Sequence, residues 1–158
     1  MENFSIRPAV ETDVPELASL LREIGFFETF NALSPKEAVA QVRRQLISNL
    51  KDESHSVYVI LDLGGKLQGY AAVHWLPYLF HPGREGYISE LFVREEVRGQ
   101  GLGQAMLEVV KKDARQKGCH RLSLLNNRER ESYHRRFYQK QGWEEREGMA
   151  NFVFWLEE

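Results

Sequence analysis

The segment Arg98-Gly99-Gln100-Gly101-Leu102-Gly103 constrains this chain more than any other. Three glycines at alternate positions stand directly ahead of Leu102, Met106, Val109 and Val110, apolar residues that recur at helical spacing. Such a turn leaves several backbone N–H groups unpaired at the positive end of a helix, with no side chains in the way, which is an anion-binding arrangement. Arg98 adds a permanent charge able to bond phosphate oxygens in a bidentate manner. A plain tight turn is the competing reading. The spacing excludes two common phosphate loops: a dinucleotide turn needs G-x-G-x-x-G and a P-loop ends in G-K-[ST], whereas Gly103 is followed by Gln104-Ala105.

Around this turn the pattern alternates between strand and helix periods. Phe4 to Pro8 reads as a short edge strand. A helix follows with Asp13 as cap, Pro15 in its first turn and Gly25 as stop, and a second starts at Ser34-Pro35-Lys36-Glu37 with the same capping logic and apolar positions from Ala38 to Leu50. Residues 56–63 and 67–76, joined at Gly64-Gly65, read as a hairpin, and Gly86 to Val93 as a third, central strand. After the helix that Gly118 closes, His120 to Leu125 reads as a strand parallel to the preceding one, because a helix joins the two. A last helix over Glu131 to Gln141 and a hairpin of 143–147 with 151–156 complete the chain. The expected fold class is therefore α/β (α+β), order β-α-α-β-β-β-α-β-α-β-β, with a mixed, mostly antiparallel sheet and one parallel crossover that contains the glycine turn.

Size and charge narrow the function. At 158 residues one compact domain over 1–158 buries a real core, whereas two would each be thin. A net charge of −2 gives no general attraction to nucleic acid or anionic membrane, so small molecules or peptides are the expected partners. The single Cys119 excludes an internal disulfide and offers no zinc spacing, which fits a reducing compartment. No run approaches the roughly 18 apolar residues of a membrane helix; the expectation is a cytoplasmic protein without membrane attachment.

Leu91-Phe92-Val93-Arg94-Glu95-Glu96-Val97 followed by Arg98 to Gly103 resembles the signature of the GNAT (GCN5-related N-acetyltransferase) superfamily, a strand ending in L-x-V, an acidic turn, then R-G-x-G-[IL]-G. Phe137-Tyr138-Gln139-Lys140-Gln141-Gly142-Trp143 is similar to a second block of that family, F-Y-x-K-x-G-[FW], and lies at the usual separation from the first. The order of elements agrees with the family's fold over nearly the whole chain, and agreement between local and global signals is itself evidence.

The resemblance implies acetyl transfer from acetyl-CoA to a primary amine, by direct attack in a ternary complex and without metal. Leu91, Phe92 and Val93 would pair through their backbone with the pantetheine arm, and an N–H near Phe92 or Val93 could meet the developing oxyanion. Arg98, Gly99, Gln100, Gly101, Leu102, Gly103 and Gln104 would hold the pyrophosphate, and Asn127 matches an asparagine that contacts the cofactor in many members, although the gap to Tyr138 is longer than usual. Tyr138 matches the tyrosine that protonates the departing thiolate. For the base that takes the amine's proton, Glu90 is the first candidate and Glu85 the second, acting through water. Phe26, Phe27 and Phe30, and Trp75, Tyr78, Phe80 and His81, fall where the family places the acceptor opening, with core packing as the competing explanation. His55, His74 and His134 read as isolated side chains.

The acceptor is left open, and a homodimer is the expectation from the family's habit. Rival readings are a transferase for another acyl-CoA, a CoA-binding regulatory module without turnover, and an RNA-binding face over Arg128 to Arg136.

Overall fold

The computed structural model describes residues 3–51 and 53–156; the side chains of residues 49 and 50, Leu50 among them, lie outside that set. The chain divides into two compact units, Met1–Leu125 and Asn126–Glu158.

The first unit is built on one five-stranded sheet in the order β1-β2-β3-β4-β5. Its strands are β1 (Phe4–Pro8), β2 (His55–Asp62), β3 (Leu67–Leu76), β4 (Arg84–Val93) and β5 (Cys119–Leu124). The first three pairings are antiparallel and β4–β5 is parallel, as the helical crossover requires. Pro8 ends the edge strand, where a missing N–H costs no ladder bond. Asp62 Oδ1 accepts from the amides of Gly64 and Lys66, both at 2.9 Å, and so closes the β2–β3 turn.

Side chains that alternate across the sheet bury two different faces. Val57, Val59, Leu61, Tyr70 and Phe92 pack with Val14, Leu17, Leu20, Phe30, Ala38, Val42 and Leu46. These come from α1 (Val14–Ile24), the single turn α2 (Glu28–Asn31) and α3 (Pro35–Leu50). On the other face Ser56 and Tyr58 reach Asp113 of α4 (Leu102–Gln116), which runs beneath β4 and β5 with Met106, Leu107 and Val110 fully buried. Burial and the Asp113 carboxylate push the Tyr58 phenol far above its usual value, so it stays a donor.

Both helix starts follow the sequence in outline. Ser34 and Glu37 form the expected capping box: the Ser34 amide and hydroxyl donate to Glu37 Oε2 at 2.8 and 2.6 Å, and the Glu37 amide donates to Ser34 Oγ at 3.3 Å. Asp13 does something different. It caps no amide of α1; its carboxylate turns back to accept from the Val10 amide at 2.8 Å and from both Arg7 terminal nitrogens at 2.7 and 2.8 Å. Arg7 and the Val10 amide hold this nearly buried carboxyl below its usual value. Asp13→Ala is expected to cost about 2 kcal/mol in urea denaturation near pH 7, since a part-buried cation and an amide lose their acceptor. Because the folded-state value is depressed, that difference is fully present above about pH 4, the unfolded value, and shrinks as pH falls through the folded one.

The second unit departs from the sequence reading in two places. The expected helix Glu131 to Gln141 is a single turn, α5 (Glu131–His134), followed by a separate 3₁₀ turn at Gln139–Gln141. Between them Arg136 adopts φ 55°, left-handed backbone that no regular helix accommodates, and the Phe137 amide bonds to the Ser132 carbonyl at 2.9 Å. The expected terminal hairpin is not formed: residues 143–156 hold no strand, and Phe152, Phe154, Trp155 and Leu156 are exposed. Alternation gives strand propensity, but a strand exists only where its backbone pairs, and Glu145 instead ties this stretch to α5 by accepting from Arg128 and the Tyr133 hydroxyl.

Candidate active site

The glycine turn has the geometry its sequence demands. Gly99 and Gly101 sit at φ 78° and 80°, and a Cβ placed on either would meet nothing within 4 Å. Gly101 is the residue ahead of α4, no side chain caps that helix, and the first bond of its ladder runs from the Ala105 amide to the Gly101 carbonyl at 2.9 Å. The amides of Gly99, Gln100, Gly101, Leu102, Gly103 and Gln104 therefore make no hydrogen bond among the described residues. Unpaired amides with open space beside Gly99 and Gly101 fit a diphosphate. Arg98 is exposed and anchored by its Nε, which donates to the Val93 carbonyl at 3.2 Å, leaving the outer guanidinium nitrogens for an anion.

Ahead of the turn, β4 changes neighbours. Its pairing with β5 runs from Arg84 to Ile88 and stops, while its pairing with β3 continues to Val93. Leu91, Phe92 and Val93 thus have strand backbone with a neighbour on the β3 side only among the described residues, the edge an extended ligand arm can extend. Where the two strands part, β4 carries a bulge: Ala72 opposes Glu90 and Val73 opposes Ile88, so Ser89 is the extra residue.

The bulge sets up the polar row that the sequence only half revealed. Glu90, half-buried, accepts a hydrogen bond from the Tyr70 hydroxyl at 2.5 Å. His74 Nε2 and Ser89 Oγ are hydrogen-bonded at 2.9 Å, and the His55 ring stands edge-on to His74 with centroids 4.5 Å apart. Burial, with a smaller contribution from His55, pushes His74 below its usual value, so it is neutral at pH 7. His55 and His74 are thus not isolated: they oppose one another in register, and their equal distance from the Gly64–Gly65 turn is the signal that could have paired them. Tyr70 was missed because a tyrosine among apolar strand residues reads as core.

Glu85 is placed differently from Glu90. It is 4% exposed, Arg121 donates to its Oε2 from Nε at 2.8 Å and from Nη2 at 2.6 Å, and Ser123 Oγ donates to Oε1. Both oxygens are engaged by β5, so this carboxylate clamps the parallel strand pair. Of the aromatic residues, Phe30 and Trp75 are core, Trp75 donating from Nε1 to Ser56 Oγ at 2.9 Å. Phe27 meets Phe92 edge-on at 5.9 Å, and the rings of Tyr78, Phe80 and His81 meet one another at tilted and edge-on angles in the loop before β4. Burial raises the Cys119 thiol above its usual value, the opposite of an activated nucleophile.

In the second unit Tyr138 packs against Phe137 and Trp143, at 4.9 and 6.0 Å between ring centroids. Burial raises its phenol and Arg130 partly offsets this, so it is protonated at neutral pH, and its hydroxyl has no hydrogen-bond partner among the described residues. Asn127 is exposed, with its Oδ1 accepting from the Glu129 amide at 2.9 Å. Among the described residues no three His, Cys, Asp or Glu side chains gather to hold a metal ion, and no helix is long and apolar enough to cross a membrane.

A parallel crossover whose glycine turn opens a helix beside two parting strands is an arrangement suited to an acyltransferase. The model of the acetyltransferase (GNAT) family matches residues 19–143, and the chain belongs to that family. It is 30% identical over 125 residues, 75% of this chain and 72% of the other, to thialysine N-epsilon-acetyltransferase of Bos taurus. To the protein of that name from Mus musculus it is 28% identical over 160 residues, 98% of this chain and 94% of the other. A solved transcriptional regulator from Bacillus halodurans shares the fold with a TM-score of 0.82 at 22% identity, over 96% of this chain and 99% of that one. The protein is an N-acetyltransferase acting on amines, and acetyltransferases of this family use acetyl-CoA as cosubstrate.

Proposed function

We propose that this chain, as one GNAT domain over residues 1–158, transfers the acetyl group of acetyl-CoA to a small primary amine by direct attack in a ternary complex. The observation that carries the reading is the row of unpaired amides from Gly99 to Gln104 beside Arg98. These groups would hold the pyrophosphate, the β4 backbone at Leu91, Phe92 and Val93 the pantetheine arm, and Asn127 would contact the cofactor. Acetyl-CoA supplies an acetyl thioester whose thiolate is the leaving group.

The chain's own part is to manage two protons. Glu90 takes one from the acceptor's ammonium, which frees the nitrogen lone pair; Glu85, already held by Arg121 and Ser123, is poorly placed for that work. Tyr138 gives the other to the thiolate, and the phenolate it leaves takes up the second N–H proton, which the acceptor nitrogen must lose as the amide forms. A phenol needs only to be positioned for this, since it is protonated and the thiolate is a base of comparable strength. Tyr138→Phe is expected to lower kcat about tenfold or more with the acetyl-CoA KM little changed. A near-normal kcat would reject the role.

The names of the relatives point to thialysine-like acceptors, an aliphatic primary amine on an amino-acid stem. The test is thiol release from acetyl-CoA with thialysine, lysine, polyamines and aminoglycosides, and with propionyl- and butyryl-CoA as donors. Release with thialysine and acetyl-CoA above the amine-free rate supports the reading. CoA uptake without release on any amine favours a regulatory module, and a longer donor outperforming acetyl-CoA corrects the acyl group. Size-exclusion chromatography with light scattering tests the homodimer proposed alongside.

A further inference from the structure

Tyr70 is an unusual place for a phenol. It is 3% exposed within the cluster that α1 and α3 form on the sheet, and its ring stacks on Phe92 at 5.8 Å between centroids. Its hydroxyl has one outlet, Glu90 Oε2 at 2.5 Å. The bulge at Ser89 makes this possible: it shifts Glu90 to oppose Ala72, whose methyl leaves space for the carboxyl to reach the neighbouring ring on the same strand. The other carboxylate oxygen, Oε1, has no hydrogen-bond partner among the described residues.

We propose that Tyr70 is a positioning residue: its O–H holds Glu90 Oε2, so that Oε1 is the oxygen offered to the acceptor's ammonium. The inference rests on the reading of Glu90 as the base. Burial, and after it the Glu90 charge, push the Tyr70 phenol far above its usual value, so it remains protonated at any working pH and can only donate. A permanent donor on Oε2 leaves Oε1 as the oxygen that receives the proton. The step balances: the N–H bond of R–NH₃⁺ breaks, an O–H bond forms at Oε1, and a neutral amine with its lone pair faces a neutral carboxyl. The titratable side chains on this face are Tyr70 and His74 from β3, His55 from β2 and Tyr87 from β4; the segment after α1 brings Phe27, and Glu90 has no ion pair among the described residues.

Tyr70→Phe keeps the ring and its stack on Phe92 and deletes only the donor. In protein labelled with ¹³C at glutamate carboxyls, with the Glu90 signal assigned by its loss in Glu90→Gln, the chemical shift of that signal at neutral pH is expected to move in Tyr70→Phe, because the hydrogen bond to Oε2 is lost. With the best amine of the panel above, kcat should fall about threefold to tenfold while the acetyl-CoA KM holds, and the same substitution on a Glu90→Gln background should change nothing further. Coincident Glu90 signals in the two proteins, or an equal fall in kcat on the Glu90→Gln background, overturn the proposal. A displaced Glu90 signal together with a Glu90→Gln enzyme of unaltered pH–rate profile supports the Tyr70 hold and instead removes Glu90 from the base role.

Discussion

Gly101→Val is expected to raise the acetyl-CoA KM about a hundredfold, corresponding to the loss of one or two hydrogen bonds to a charged oxygen. Two effects of the substitution must be separated. Gly101 stands at φ 80°, and a β-branched residue held there costs about 1–2 kcal/mol of stability whatever it faces. The second effect is specific to the site. A Cβ at 101 enters open space next to the unpaired amides, and a branched side chain there is expected to keep an anion from reaching them. Gly65→Val separates the two. Gly65 has φ 81° and an equally open surrounding in the β2–β3 turn, so it reproduces the backbone strain with no bearing on the cofactor. A hundredfold rise in KM for Gly101→Val against an unchanged value for Gly65→Val would assign the loss to the covered amides. If Gly101→Val retained its KM within about threefold, when one charge-assisted bond alone is worth more, the pyrophosphate would have to bind elsewhere.

This turn was legible because its physics is local. Left-handed backbone at Gly99 and Gly101 and orphan amides at a helix start follow from residue type and spacing, without reference to the rest of the chain. The strands β1 to β5, the capping box at Ser34 and the parallel crossover were legible for the same reason. The terminal-hairpin expectation depended on more. Residues 143–156 alternate convincingly, yet pairing is a property of two segments, and no single-segment pattern says whether the partner is engaged. The break at Arg136 carried no signal at all, since arginine is an ordinary helix former.

At the base the limit was finer. Glu85 and Glu90 lie on the same strand and look alike in sequence, and what separates them is cross-strand register. Glu85 falls beside Arg121 and Ser123, whereas the bulge at Ser89 carries Glu90 next to Tyr70. A bulge leaves little trace in the residues that form it. The same register brought His74 to Ser89 and to His55, so two histidines that read as isolated join Ser89 in one polar row.

Glu90→Gln is expected to lower kcat/KM for the amine about a hundredfold near neutral pH, the middle of the range for a positioned general base. The pH dependence makes the prediction sharp. At pH 7 only about one alkylamine in a thousand is neutral, so an enzyme without a base must wait for that minority. Each unit of rising pH makes the neutral form about tenfold more abundant, until the amine's own value near 10.4 is reached. The variant's kcat/KM should therefore climb with unit slope through the alkaline range and approach that of the unmodified enzyme, which already supplies the acceptor's deprotonation internally. The gap is thus widest at neutral pH and closes upward. Glutamine keeps the size of the side chain and can still accept from the Tyr70 hydroxyl through its carbonyl oxygen, so the site's packing is preserved and the missing function is proton uptake alone. Glu85→Gln supplies the contrast. It removes the charge that Arg121 and Ser123 grip in a buried strand pair, so its effect should fall on the unfolding midpoint and be flat with pH in the rate ratio. A pH-dependent gap for Glu85→Gln and a flat one for Glu90→Gln would exchange the two roles.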